Sequence, residues 1–129
     1  WIDQWYASLG TERHAYAIVV DDVPVGYAQI SDIDSTNRKC SVGVVIGDKQ
    51  YWSRGIGTKA ARAITGIAFG DLGMHRALAV ASERNPASIR CFERAGYTEE
   101  GRLRHANYRN GEFLDLVLLS ALEHEWACD

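Results

Sequence analysis

The sequence predicts an α+β domain built on a mixed sheet, mainly antiparallel, with one central parallel strand–helix–strand crossover. Three observations predict it. Apolar runs separated by turn residues at 14–31 and 97–119 read as hairpins, which require antiparallel pairing. Between them a strand at 40–46, a helix at 58–72 and a strand at 76–81 form a unit that needs a right-handed parallel crossover. Finally, 129 residues make a single domain, with no room for a second independent core.

Residues 1–9 read as a short helix, with Ile2, Trp5, Tyr6 and Leu9 at helical spacing and Gly10 to end it. Residues 14–20 are β-rich, and Asp21-Asp22-Val23-Pro24 turns the chain back into a strand at 25–31. Residues 32–39 form a polar loop. The strand at 40–46 is strongly apolar, and its Gly43 predicts a bulge or a close backbone approach. Residues 47–57 are irregular and glycine-rich. The helix at 58–72 carries Ala61, Ile64, Ala68 and Leu72 on one stripe and stops at Gly73. A short buried strand follows at 76–81. Asn85 caps a helix at 85–95, Pro86 suits its first turn, Gly96 its exit, and Ile89, Phe92 and Ala95 its buried stripe. Strands at 97–108 and 112–119 are joined by Asn110-Gly111, whose preferred turn matches the twist of a hairpin.

Composition narrows the function classes. Apolar residues are 47% and charged residues 24%, a folded globular mixture rather than a disordered one. No stretch approaches the roughly 20 apolar residues of a membrane helix, and residues 1–10 carry no secretory pattern, so no membrane partner is expected. A net charge of −3 disfavours a nucleic-acid-coating surface. Cys40, Cys91 and Cys128 are odd in number and widely spaced, which favours a reducing, cytoplasmic setting over a disulfide framework. His14, His75, His105 and His124 lack metal-ligand spacing, so no metal is expected. Cys91 reads as a small buried hydrophobe, and Trp52 and Trp126 as packing residues, with Trp52 a candidate shield for the loop beside it.

The segment Tyr51-Trp52-Ser53-Arg54-Gly55-Ile56-Gly57-Thr58 carries the chemistry. Gly55 and Gly57 let the backbone curl so that its N–H groups converge, and the helix that follows aims the positive end of its dipole at the same point. Lys49, Arg54 and Lys59 add positive charge. Together these make a site for a phosphate or pyrophosphate. Gly55-Ile56-Gly57-Thr58-Lys59-Ala60 also fits the loose dinucleotide pattern G-x-G-x-x-A, but eight residues separate it from the strand it should follow directly.

Three blocks, in order, resemble the GCN5-related N-acetyltransferase (GNAT) superfamily, in the branch of ribosomal-protein N-terminal and spermidine acetyltransferases. The first is the loop at 51–58. The second is Asn85-Pro-Ala-Ser-Ile-Arg-Cys-Phe-Glu-Arg-Ala-Gly-Tyr97, similar to N-x-x-[SA]-x-x-x-[YF]-x-x-x-G-[FY]. The third is Glu100-Gly-Arg-Leu-Arg104 followed by Tyr108-Arg-Asn-Gly111 and Asp115. The resemblance covers residues 15–126.

It implies a GNAT-like acyl-CoA N-acyltransferase fold and transfer of an acetyl group from acetyl-CoA, as cosubstrate, to a primary amine: a protein N-terminus, a polyamine or a small molecule. Acetyl-CoA is expected where the strands at 40–46 and 76–81 splay apart. Its pantetheine arm would pair with backbone at Val44, Val45 and Ile46, where an N–H would polarise the thioester carbonyl. Its pyrophosphate would sit on the amides of Arg54, Gly55, Ile56, Gly57 and Thr58. Asn85 would bind near the pantetheine, and Arg90 or Arg94 would reach the adenosine phosphates. Gly57→Asp is expected to weaken CoA binding.

The family's Tyr acid falls at Phe92, which cannot donate a proton; Ser88 falls where the ribosomal-protein branch carries a Ser, and the resemblance makes it the candidate acid for the departing thiolate. The branch's Glu falls at Ser41. Asp32, Asp34 and Asp115 stand as alternatives for the base, the first two reading better as loop residues and Asp115 as a residue with a structural or substrate partner. Acidic residues at 21, 22, 32, 34 and 48 hint at a cationic amine. The alternative is a non-catalytic acyl-CoA-binding sensor or interaction module, favoured by Phe92 and Ser41. The resemblance allows a homodimer. It also places the family's first strand and another helix ahead of residues 1–9, so the domain is expected to lack them.

Overall fold

Two pairs of consecutive residues with positive φ turn the chain at two of its hairpins. Asp21 and Asp22 adopt φ values of 50° and 64°, and Asn110 and Gly111 adopt 51° and 79°. Asp, Asn and Gly tolerate this region, and tight turns of this hand follow the twist of the flanking strands. The computed structural model describes residues 4–7, 14–47, 49–51 and 54–126. Its elements are β1 (Gln4–Ala7), β2 (His14–Val20), β3 (Val23–Asp34), β4 (Lys39–Ile46), α1 (Ile56–Gly66), β5 (Arg76–Ser82), α2 (Pro86–Arg94), β6 (Thr98–Arg109) and β7 (Glu112–Leu122). The described strands form one seven-stranded sheet in the order β1-β2-β3-β4-β5-β7-β6. Only β4 and β5 pair in parallel, through the α1 crossover. Asp48, Trp52, Ser53 and Cys128 lie outside the described residues.

The short helix expected at 1–9 is corrected over its described part. Gln4–Ala7 is a strand, paired from Gln4↔Val19 to Ala7↔Tyr16. Apolar spacing over so few residues is a weak signal, and pairing satisfies backbone groups along β2 that would otherwise need another partner. The rest of that segment lies outside the described residues. The strand expected at 25–31 continues to Asp34 through an irregularity at Asp32, φ 51°. The Asp34 carboxylate then accepts from the Asn37 amide at 3.0 Å and from its side-chain Nδ2 at 2.8 Å, which closes the turn into β4 and lowers the Asp34 pKa.

Gly43 marks no bulge: the β3–β4 register runs unbroken from Gly26↔Ile46 to Ser31↔Ser41. The close approach is at Gly26, where a Cβ would lie 2.0 Å from the Val45 carbonyl oxygen. The helix expected at 58–72 begins two residues earlier, and its last turn, Ile67–Asp71, is π-helical, with the Leu72 amide donating to Ile67 O at 3.1 Å. Gly73, at φ 68°, ends it.

Both helices cover one face of the sheet. Ile18, Ala28 and Ile30, then Cys40, Val42, Ala77 and Ala79, then Val117, Leu119 and Ala121 are buried beneath Ala60, Ala61, Ile64 and Phe92. Cys40 is pushed up to about 11 by burial, so its thiol is inert near neutrality. Trp126 closes the helical side: it meets Phe69 edge-on at 5.5 Å, and its Nε1 donates to Ala95 O at 3.3 Å.

A buried hydroxyl pair joins α1 to the start of β6. Thr65 Oγ1 donates to Ala61 O at 2.6 Å and lies 2.7 Å from the Tyr97 hydroxyl, whose pKa burial raises. With Thr65 donating to Ala61, Tyr97 donates to Thr65. Tyr97→Phe should therefore cost only about 1 kcal/mol, whereas Thr65→Val strands the phenol and should cost about 2–3 kcal/mol. Urea unfolding checks this; equal losses would refute the asymmetry.

Candidate active site

The parallel pairing of β4 and β5 is short. It comprises Lys39↔Arg76, Cys40↔Ala77 and Ser41↔Leu78 and then stops. β4 continues to Ile46 alongside β3, and β5 continues to Ser82 alongside β7, where Ser82 meets Leu116. Each strand stays with its antiparallel neighbour, so the sheet forks between them. Beyond Ser41, alternate residues of β4 direct backbone groups into the fork instead of onto β5. Val44, Val45 and Ile46 lie on this stretch, with Val44 and Ile46 packed toward the helix-covered core and Val45 exposed on the other face.

α1 begins beyond the end of β4. Gly55 is its N-cap, left-handed at φ 77°, and no side chain among the described residues caps the helix. The Lys59 amide bonds back to Gly55 O at 3.1 Å, so the amides of residues 55–58 are the ones helical geometry leaves without an intrahelical acceptor. The positive end of the helix dipole lies there too. Ile56, 2% exposed, anchors this turn in the core. The Arg54 guanidinium lies over the Tyr51 ring, 5.2 Å from its centroid.

The two glycines of this loop do different jobs. Gly55 supplies the left-handed turn, but Gly57 supplies closeness between helices: a Cβ on it would lie 3.1 Å from Cys91 Sγ on α2. Burial raises the Cys91 thiol, while a hydrogen bond with the Thr58 side chain opposes that rise. It is therefore a packing residue and not a nucleophile.

α2 brings the second motif to the same side of the sheet. Asn85 Oδ1 accepts from the Ser88 amide at 3.1 Å, with Pro86 in the first turn. This is the expected cap, and it leaves the half-buried Ser88 hydroxyl out of the bond. Arg90 and Arg94 are exposed on α2. Phe92 is buried against Tyr97, with ring centroids 5.1 Å apart.

The candidate acids do not gather. Asp34 closes its own turn, and Asp32 lies beside it at the far end of β3 from Asp21 and Asp22. Asp115 has a structural partner. Its Oδ1 accepts from the His105 amide at 3.0 Å, within the interruption of β6 between Leu103 and Asn107. Its backbone pairs with Glu83, whose carboxylate accepts from the Asp115 amide while the Glu83 amide donates to Asp115 O at 3.0 Å. The hairpin is thus fastened to the loop that follows β5. Sequence reasoning missed this fastening and missed Gly26. The signal for Gly26 was present, a glycine inside an apolar strand, but it was read only at Gly43.

Residues 1–98 match the acetyltransferase (GNAT) domain. The chain belongs to the GNAT acetyltransferase family. It is 35% identical over 109 residues to the putative ribosomal N-acetyltransferase YdaF of Bacillus subtilis, covering 84% of this chain and 59% of that protein. It is 19% identical over 114 residues to the spermidine N(1)-acetyltransferase of Escherichia coli, covering 88% and 61%. The chain therefore spans about three-fifths of the length of these curated relatives. Among solved structures, a probable acetyltransferase superposes with a TM-score of 0.83 at 33% identity, over 89% of this chain and 64% of that one. The spermidine N-acetyltransferase of Vibrio cholerae in complex with CoA and spermine also gives 0.83, over 90% and 69%, and at 17% identity this shows a shared fold. The mixed sheet with its single parallel pair is the GNAT fold expected from the sequence.

Proposed function

We propose that this chain is an acetyl-CoA-dependent N-acetyltransferase that moves an acetyl group to a primary amine by direct attack on the thioester. The observation that carries the reading is the fork between β4 and β5, with the N-terminus of α1 beyond the end of β4. A CoA ester needs both features: an extended edge for its amide-bearing arm and a cluster of amides for its pyrophosphate. Family membership and the names of the relatives support the same reading.

In this reading the backbone of Val44, Val45 and Ile46 holds the pantetheine arm and orients the thioester. The amides of Arg54, Gly55, Ile56, Gly57 and Thr58 hold the pyrophosphate. Asn85 offers its carboxamide nitrogen near the arm while its oxygen caps α2, and the exposed Arg90 reaches the adenosine phosphates. The Ser88 hydroxyl donates a proton to the departing thiolate. The proton leaving the amine passes to water. Acetyl-CoA is the only cosubstrate, with no metal, and a cytoplasmic homodimer acting on a small-molecule or peptide amine is the form we propose. No helix among the described residues is long and apolar enough to cross a membrane.

The test is release of free thiol from acetyl-CoA with spermidine, amino acids, aminoglycosides and short peptides. Amine-dependent release is expected. Tight CoA binding with no turnover on any of them would replace the transferase reading with a non-catalytic CoA-binding module. Ser88→Ala should keep the helix cap, since the cap uses the backbone amide. It should lower kcat by about a hundredfold with little change in the KM for acetyl-CoA. A kcat within threefold of the parent would remove Ser88 as the acid.

A further inference from the structure

We propose that Gln29 is a specificity-determining residue that holds the acceptor at the fork and selects the α-amine of a peptide over a polyamine; this rests on the transferase reading. The approach left to the amine is from one side. On the helix-covered face Val42 and Ala79, the first core residues past the last parallel pair, are buried under α1 and α2, and this is the side from which the transferase reading brings CoA. An amine reaching a thioester in the fork must come from the other face.

The register fixes which side chains that face carries. On β3 and β4 the pairs are Tyr27↔Val45, Gln29↔Gly43 and Ser31↔Ser41, and Ser41 meets Leu78 at the last parallel pair. Val80 follows on β5. Beside the Tyr27 phenol, Gln29 is the long polar side chain in this set, and the one opposite Gly43. Gly43 contributes no side chain, so Gln29 lies across β4 just beyond the point where β4 leaves β5. A Cβ at position 43 would be 3.7 Å from Gln29 Cγ and 3.8 Å from its Nε2. The carboxamide therefore stands over the backbone at the mouth of the fork.

The same positions carry no carboxylate. Of the described acids on this face, Asp34 is opposite Lys39 and bonded to Asn37, and the Glu100 carboxylate accepts from Ser120 Oγ at 3.0 Å and is paired with Arg76, which lowers its pKa. A polyamine presents several cations and no acceptor groups, and it needs carboxylates to compensate their desolvation. A peptide N-terminus presents one amine beside an amide unit. A carboxamide, with one acceptor oxygen and two N–H donors, complements that unit.

The experiment compares the wild-type chain with Gln29→Ala, Gln29→Glu and Gly43→Ala. The acceptors are spermidine and a set of hexapeptides varied at the first residue, with CoA binding followed by thermal shift. The wild type should favour the best peptide over spermidine by at least tenfold in kcat/KM. Gln29→Ala should raise the peptide KM at least fivefold with an unchanged CoA-induced shift. Gly43→Ala, whose methyl would touch the same carboxamide, should raise it in the same direction. Gln29→Glu should move the peptide-to-spermidine ratio at least tenfold toward spermidine. A wild-type preference for spermidine, or a peptide KM within twofold in folded Gln29→Ala, would overturn the assignment. A wild-type chain that binds CoA but acetylates nothing would overturn the transferase reading, and this assignment with it.

Discussion

Gly57→Asp should weaken CoA binding about a hundredfold while the chain stays folded. The new Cβ meets only Cys91 Sγ, at 3.1 Å, a short side chain that has to yield by a few tenths of an ångström. The carboxylate itself suits the first turn of a helix, where it interacts favourably with the dipole. Folding stability should therefore change by less than about 1 kcal/mol. Binding is different. The carboxylate would stand about 6 Å from two phosphate charges seated on the amides of residues 55–58, and at an effective dielectric of about 40 the repulsion is about 3 kcal/mol, or roughly a hundredfold. Gly57→Ala makes the same steric change without the charge and should bind within threefold of the parent. Calorimetric titration with CoA measures both. An Asp variant with parental affinity would move the pyrophosphate away from the start of α1.

Gly26→Ala should be the most destabilising methyl added at any of the described glycines. Its Cβ would lie 2.0 Å from Val45 O, 2.9 Å from Ile46 Cα and 3.0 Å from Val45 C. All three are backbone atoms of the adjoining strand, so no rotamer change relieves the clash. β4 has to peel from β3 over its last residues, the stretch that borders the fork. A loss of at least about 3 kcal/mol is expected, near the upper end for point substitutions. For a domain of this size that corresponds to a fall in Tm of roughly 10 °C or more. Gly43→Ala, on the same sheet, meets only the Gln29 side chain at 3.7 Å and should fall by much less. A Gly26→Ala variant melting within 2 °C of the parent would show that β4 leaves β3 at little cost.

The contrast between these glycines explains which parts of the site were legible. The α1 loop was, because Gly55-Ile56-Gly57-Thr58 before an apolar helical stripe states both the turn and the dipole locally. The Asn85 cap was, because a cap is a contact between residues three apart in the chain, and it is present at 3.1 Å. Gly26 and Gly43 look alike in sequence, each a glycine in an apolar strand. Which one touches backbone depends on how β3 and β4 curve together, and that is a property of the pair. Asp115 was legible only as a residue needing a partner; the partner, the His105 amide, became available when β6 bulged opposite it.

By itself the sequence determined the hairpins, the crossover, the glycine-rich start of α1 and membership of the family, all of which rest on contacts between near neighbours or on ordered motifs. It misjudged residues 4–7, where a strand partner about a dozen residues away outweighs local periodicity. Only the tertiary structure decided at which residue the sheet forks, which face of the fork the helices cover and which side chains stand at its open mouth. Those depend on strand register, and register is settled by the burial of one whole face at once, not by any single residue.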